Sequence, residues 1–407
     1  MSFNIALSGI NAASTDLDVI ANNISNSATT GFKRSRAEFA DVYATSRLGS
    51  SAIATGRGVR TASIRQDFTQ GDVNYTDNNL DLSIDGQGMF RVSDGGKAMY
   101  SRAGSFGLDR EGYIVNSQDQ RLTGYGVNDD GAILPITGDL KIDYSDIAPK
   151  PTENVGLSLN LDSLSTVLPP FNVADPATYN YSTSTTVYDS LGASQVATTF
   201  LRKDTQNSWS AYLFVDGTEV SQPGGDELEF DAAGELVAVN GAPELRYTST
   251  SFPPASGASP MAITFDVSGI TQFEGPFGVN EVTQDGYTAG RLDDFDIGTD
   301  GTIFGRFSNG QAKLMGQITL TNFPNEEGLA QKGNNVWAES YNSGSPATGQ
   351  PGSASLGLIQ AGALESSNVD ITQELVSMIS AQRSFQANAQ VISTGDTLTQ
   401  TVINIRR

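Results

Sequence analysis

The sequence predicts an α+β multidomain chain. Paired N- and C-terminal α-helices form an inner coiled-coil-like domain, and two mainly antiparallel β domains follow, the second inserted in the first. Three observations carry this reading. Long apolar runs at spacings of three and four occur only at the two ends. More than three hundred glycine-rich residues between them alternate with period two and are broken by turn dipeptides. The β pattern also changes character at Pro149-Lys150-Pro151 and changes back near residue 286.

The first helix is expected from Asn4 to Asn26, with Phe3, Ala6, Ile10, Ala13, Leu17, Ile20 and Ile24 along one seam. Gly9 is a mild penalty inside it, and Asn22, Asn23 and Asn26 loosen its end. Ser27-Ala28-Thr29-Thr30-Gly31 breaks the pattern. Residues 31–70, with Gly49, Gly56 and Gly58, read as extended or irregular connector, matched near the other end by 340–367. From Gly71 strands begin: Leu80, Leu82 and Ile84 alternate with polar residues, and Asp85-Gly86-Gln87-Gly88 turns into Met89-Phe90-Arg91-Val92. Residues 71–148 and 286–339 share this style and are assigned to one discontinuous inner β domain.

Residues 149–285 are richer in Ser, Thr and Pro and read as an inserted outer β domain, with turns at Asp216-Gly217 and Asn240-Gly241. The final helix enters near Ser367, capped by Asp370 or Asn368. Ile371, Leu375, Met378, Phe385, Ala389 and Ile392 continue a seam that holds one polar residue, Gln382. Beyond Gly395 the apolar set drifts to Leu398, Val402 and Ile405. Residues 1–30 and 368–407 make up the helical domain. A single apolar seam on each helix cannot bury itself, so the helices must pair with each other or with further copies of the chain.

Composition narrows the function. The 407 residues contain no Cys and no His, which removes disulfides, thiol nucleophiles and the commonest general base and metal ligand together. Lys and Arg total 24 against 46 Asp and Glu, a net charge of −22 that argues strongly against a nucleic-acid partner. Residues 1–39 and 368–407 each sum to zero, so the acidic excess lies wholly between them. Neutral ends suit dense packing, and an acidic middle suits an exposed surface. No run approaches the ~18 apolar residues of a membrane span, so membrane insertion is not expected. The N-terminus lacks the basic-then-apolar pattern of a cleavable secretory signal.

Each chemical motif has a plainer reading. Asp293, Asp294, Asp296 and Asp300 resemble a carboxylate site for glycoside hydrolysis, but Asp beside Gly is ordinarily a turn residue. Read as a calcium loop from Asp294, the match fails because Gly298 replaces a ligand and Thr299 the required glycine. A looser calcium site there stays open. Asp85-Gly86-Gln87-Gly88 has no following lysine and strands on both flanks, so it is no phosphate loop. Lys33-Arg34-Ser35-Arg36 reads as a solvated basic face or as partners for a neighbouring subunit's acids. Neither a catalytic residue nor a cofactor is assigned.

Four matches in order from end to end, the first and last each in two parts, carry a resemblance. Ala21-Asn22-Asn23-Ile24-Ser25-Asn26 with Thr29-Thr30-Gly31-Phe32-Lys33-Arg34-Ser35-Arg36 opens the chain. Leu80-Asp81-Leu82-Ser83-Ile84-Asp85-Gly86-Gln87-Gly88-Met89-Phe90 and Tyr100-Ser101-Arg102-Ala103-Gly104-Ser105-Phe106 follow. Gly362-Ala363-Leu364-Glu365-Ser366-Ser367-Asn368-Val369-Asp370 and Ala381-Gln382-Arg383-Ser384-Phe385-Gln386-Ala387-Asn388-Ala389-Gln390 close it. Together they resemble the bacterial flagellar rod and hook proteins. Val187-Tyr188-Asp189-Ser190-Leu191-Gly192 at the entry to the inserted block, and Ser308-Asn309-Gly310-Gln311, resemble the hook type rather than the shorter rod type. Residues 160–182 and 216–260 carry little of the likeness.

The resemblance implies a subunit of a curved tubular filament, a universal joint that transmits motor torque, with terminal helices lining the channel and β domains outside. The implied partners are copies of itself, the flagellar rod, hook cap and hook–filament junction proteins, and the flagellar type III export apparatus. The implied location is outside the cell in the flagellum, reached without a cleavable signal. A distal rod protein is the alternative within the family. A secreted β-rich carbohydrate-active enzyme and a calcium-dependent adhesin are alternatives outside it.

Overall fold

The computed structural model of the chain describes residues 2–42, 56–128 and 131–405. Two long helices stand at the ends, α1 (Ser2–Ser25) and α2 (Ile371–Ile405), and a mainly antiparallel β body lies between them. The chain divides into two compact units: residues 1–143, 294–305 and 312–407 in the first, residues 144–293 and 306–311 in the second.

Both helices form where the period of three and four runs. Asp370 caps α2, its Oδ1 accepting from the backbone N–H of Thr372 at 2.8 Å and of Gln373 at 3.1 Å. Asn368, the other candidate cap, is employed elsewhere. Its Oδ1 accepts from Arg34 N–H at 2.8 Å and its Nδ2 donates to Asp67 O at 2.9 Å.

In the first unit the strands Ala312–Ile318, Arg121–Val127, Met89–Asp94, Lys97–Ser101 and Val336–Ala338 lie side by side in one sheet. The alternation read in the sequence becomes burial: Leu82, Ile84, Phe90, Val92, Ile114 and Leu122 are removed from water entirely. Within the described parts of residues 31–70 and 340–367 the extended backbone is paired into strands. Ser35–Asp41 pairs antiparallel with Val59–Gln66. Leu358–Ala361 pairs with Leu82–Asp85, and Ala363–Glu365 with Val73–Tyr75. The expectation for Gly49 lies outside the described residues, as do the terminal Arg406 and Arg407.

The second unit packs two sheets around one core. One holds Asn154–Asn160, Thr264–Thr271, Gly278–Gln284 and Arg246–Thr248, and includes a parallel pairing of the first two. The other runs Tyr181–Tyr188, Ser194–Lys203, Ser208–Val215, Asp226–Phe230, Leu236–Val239. Trp209, Leu213, Leu228, Val155 and Phe265 fill the space between them at no exposure. Trp209 Nε1 donates to Gln272 Oε1 at 2.9 Å, so the largest core side chain is also satisfied. The turns expected at Asp216-Gly217 and Asn240-Gly241 are present, with positive φ at all four residues.

Candidate assembly interface

The helices pack against one another within the first unit, and their direction follows from two contacts. Near the end of α1, Arg34 N–H bonds Asn368 just before α2 begins, whereas Gly9 faces Asn388 well along α2. They therefore run antiparallel. Gly9 allows the approach: a Cβ there would lie 2.6 Å from Asn388 Oδ1. With Gly9 level with Asn388, α1 has seven residues left to Ser2 and α2 has seventeen to Ile405. At ~1.5 Å per residue, α2 runs on for about 15 Å past the start of α1.

Small side chains are prominent among the buried ones: Ala6 and Ala13 on α1 and Ala381 on α2, with the larger Ile20 and Glu374 buried beside them. A second face of α1 meets the strand pair Ser35–Asp41 and Val59–Gln66. There Asn23 exchanges two hydrogen bonds with the backbone of Ser35, at 2.7 and 2.9 Å, and Val59 N–H donates to Ser8 Oγ at 3.2 Å. Ala12 and Val19, also buried, fall on the Ser8–Asn23 side by the helical period.

The seam residues expected from the sequence divide by depth. Ile20 is buried; Ile10, Leu17, Ile24, Met378, Ala389 and Ile392 are half-buried. Phe3 is 54% exposed, Ile371 48%, Leu375 47% and Phe385 37%. Further apolar side chains stand in water beside them, among them Leu7, Val376, Ile379, Val391 and Leu398. The side chains of Val402 and Ile405 lie outside the described residues. Helices of a finished domain bury their large apolar residues and expose polar ones. Here the alanines are inside and many of the large residues outside.

The basic run at residues 33–36 is not a free charged patch. Lys33 is fully buried against Glu365, Arg34 Nη2 pairs with Asp67 Oδ2 at 3.2 Å and Arg36 Nη2 with Glu38 Oε1 at 3.1 Å. Burial works to raise the Asp67 carboxyl, but hydrogen bonds from Thr69 and the charge of Arg34 outweigh it and hold the group below its ordinary value. Sequence reading missed Glu365 and Asp67 as partners because both are distant in the chain. Asp300, once a candidate ligand, closes a turn: its Oδ1 accepts from Thr302 N–H at 3.1 Å and from Thr302 Oγ1 at 2.6 Å.

Models of four protein families match along the chain. Residues 3–33 match the flagella basal body rod protein, 83–150 the flagellar hook protein FlgE/F/G D1 domain, 160–287 the flagellar basal body protein FlaE D2 domain, and 360–405 the flagellar basal body rod FlgEFG protein C-terminal. The flagellar hook protein FlgE of Escherichia coli (strain K12) is 40% identical over 427 residues, covering all of both chains. That of Borreliella burgdorferi is 33% identical over 98% of each. Among solved structures, the Helicobacter pylori flagellar hook protein FlgE2 shares the fold with a TM-score of 0.56 at 15% identity, over 72% of this chain and all of that one.

Proposed function

Because the chain belongs to the flagellar hook protein family, we propose that its terminal helices polymerise it into a curved tubular filament that acts as a universal joint. Its role in that family is structural, as a subunit of the flagellar hook. One observation carries the mechanism: Phe3, Leu375 and Phe385 stay in water although the contact between α1 and α2 is already made. Fully burying a large apolar side chain is worth about 1.5–3 kcal/mol, so copies that cover these faces gain several kcal/mol per subunit. Phe3, Ile10, Leu17, Ile20, Ile24, Ile371, Leu375, Met378, Phe385, Ala389 and Ile392 are the proposed helical interface.

In this reading 1–30 with 368–407 forms the coiled-coil-like inner tube. Residues 71–148 with 286–339 form a surrounding β layer, and 149–285 an inserted outer domain. The acidic middle supplies polar contacts between neighbours that slide as the curved tube turns, while apolar packing holds the inner tube. Rod, cap and junction proteins and the export apparatus are its proposed partners. Electron microscopy of the concentrated full-length chain tests the reading. Curved tubes are the expected result. Monomers at every concentration, together with normal motility in a strain lacking the chain, would overturn it.

A further inference from the structure

We propose that Glu365 is a positioning residue, which with Lys33 and Arg102 fixes the segments leading out of α1 and into α2 on the β strands of the first unit. Three donors from three separate parts of the chain converge on this one carboxylate. Lys33 Nζ reaches Oε1 at 2.6 Å, the backbone N–H of Gly71 reaches the same oxygen at 3.0 Å, and Arg102 Nη1 reaches Oε2 at 3.2 Å. The side chains of Lys33 and Glu365 are 0% exposed and that of Arg102 2%.

The remaining donors reach outward to bind more of the chain. Lys33 Nζ also donates to Thr69 O at 2.7 Å, and Arg102 Nη2 to Gly86 O at 2.8 Å. The backbone repeats the connection: Gly31 N–H donates to Glu365 O at 2.8 Å, and Ser366 N–H to Asp72 O at 2.8 Å. Gly31, in a left-handed conformation at φ +66°, lies so close to the backbone of Ala103 that no Cβ fits between them. Residues 31–33, 69–72, 86, 102 and 365–366 are therefore one knot. Every pass of the chain between the helices and this β layer goes through it or beside it.

The chemistry suits positioning better than bulk stability. A buried ion pair contributes little net stability over an apolar replacement, but removing one member leaves uncompensated charge. Burial pulls the Lys33 ammonium below its ordinary pKa, with the Glu365 charge the main opposing influence. Glu326 also acts on both cations through its charge, and its own burial raises its carboxyl, but Glu365 is the carboxylate that bonds both of them. Arg102 Nε is buried without a partner among the described residues. A carboxylate with fixed donors from three directions defines one geometry.

The test is hydrogen exchange on the full-length chain at neutral pH, with wild type beside Glu365→Gln. The expected result is at least tenfold faster exchange at Gly31, Gly71 and Ser366, with Val92, Leu122 and Trp209 unchanged. Lys33→Met should act on the same amides, and its factor should fail to multiply with that of Glu365→Gln in the double variant, as direct coupling requires. Glu365→Asp, which keeps the charge but withdraws it by one methylene, should fall between wild type and Gln. It also carries the test should the Gln variant not fold. Unchanged exchange at the three junction amides would overturn the proposal. So would acceleration spread equally over Val92 and Leu122, or fully multiplicative factors. The readout needs no assembly, so its failure and the failure of polymerisation are separate results.

Discussion

The second unit and the terminal helices use the same apolar residue types to opposite ends. In the second unit, alternate residues of facing strands meet, and Trp209, Leu213, Leu228 and Phe265 are wholly out of water. In the helices, Ala6, Ala13 and Ala381 are inside while Phe3, Leu375 and Leu398 are exposed. The first arrangement is complete in one chain. The second leaves a lateral surface whose burial is the free energy available for assembly. A subunit that folds alone yet polymerises benefits from keeping these two tasks in different regions.

The largest expected effect breaks the comparison on the helical side. Leu17→Asp or Phe385→Asp places a charge on the proposed interface, and tube formation in electron microscopy should be lost outright. Thermal unfolding of the second unit should be unchanged in both variants, since neither position belongs to it. Phe385→Asp is the sharper of the two, because Phe385 is 37% exposed in the single chain whereas Leu17 is half-buried. Normal tubes from Phe385→Asp would mean that the exposed stripe on α2 is not the contact.

Trp209→Ala inverts the experiment. Removing this fully buried indole and its bond to Gln272 should cost about 3–5 kcal/mol, read by denaturant unfolding of the second unit. Tubes should still form under conditions where the second unit remains folded. Loss of tubes with the second unit intact would show that the two tasks are not separate.

How far the sequence already showed this depends on how local each signal is. The helices, the Asp370 cap and the hairpin turns were legible, because each is written within a few residues: a period of 3.6, a capping carboxylate, an Asn-Gly pair. The strand pairing within the described parts of residues 31–70 and 340–367 was not. The strand Ala363–Glu365 pairs with Val73–Tyr75, far away in the chain, and no local pattern records that. Lys33 looked solvated because its neighbours Arg34 and Arg36 are basic, while its partner Glu365 lies 332 residues away. One signal was present: Glu365 is the only charged residue between 340 and 369. A lone charge in a long neutral stretch invites the question of what neutralises it. The seams are apolar by sequence, but a period cannot say which apolar residue meets its own chain and which a neighbour.

A smaller effect concerns pH and the second unit only. Asp285 Oδ1 accepts from the backbone N–H groups of Glu153 and Asn154, both at 2.9 Å, and Oδ2 from Lys150 Nζ at 3.1 Å and Asn154 Nδ2 at 3.2 Å. Burial alone would raise this carboxyl, but those donors bring it down to about 2. Since the folded pKa lies below the unfolded value of about 3.9, the contribution is complete above the unfolded value. It is lost as pH falls through about 2. Allowing for screening at a side chain 28% exposed, it is worth about 1–2 kcal/mol. Asp285→Asn should lower the second unit's stability at pH 7 by about that amount and flatten its decline between pH 4 and 2. An unchanged acid profile would assign the decline to other carboxylates.

The smallest effect tests the contact between the helices from inside. A Cβ at Gly9 would lie 2.6 Å from Asn388 Oδ1, which is the end of a side chain and able to turn aside. Asn388 Nδ2 now donates to Ser384 O at 2.9 Å within α2, so moving it costs part of one exposed hydrogen bond. Against that, alanine is favoured over glycine inside a helix by about 1 kcal/mol. The two nearly cancel, and Gly9→Ala should shift helix content on heating by less than about 1 kcal/mol in either direction. Gly9→Leu cannot be absorbed in the same way, because it adds three more carbons where a Cβ already meets Asn388. It should separate α1 from α2 without touching Phe3 or Phe385. If Gly9→Leu still forms ordinary tubes, lateral contacts between copies dominate the assembly. If tubes are lost, the pairing within each chain is a precondition for the contacts between chains.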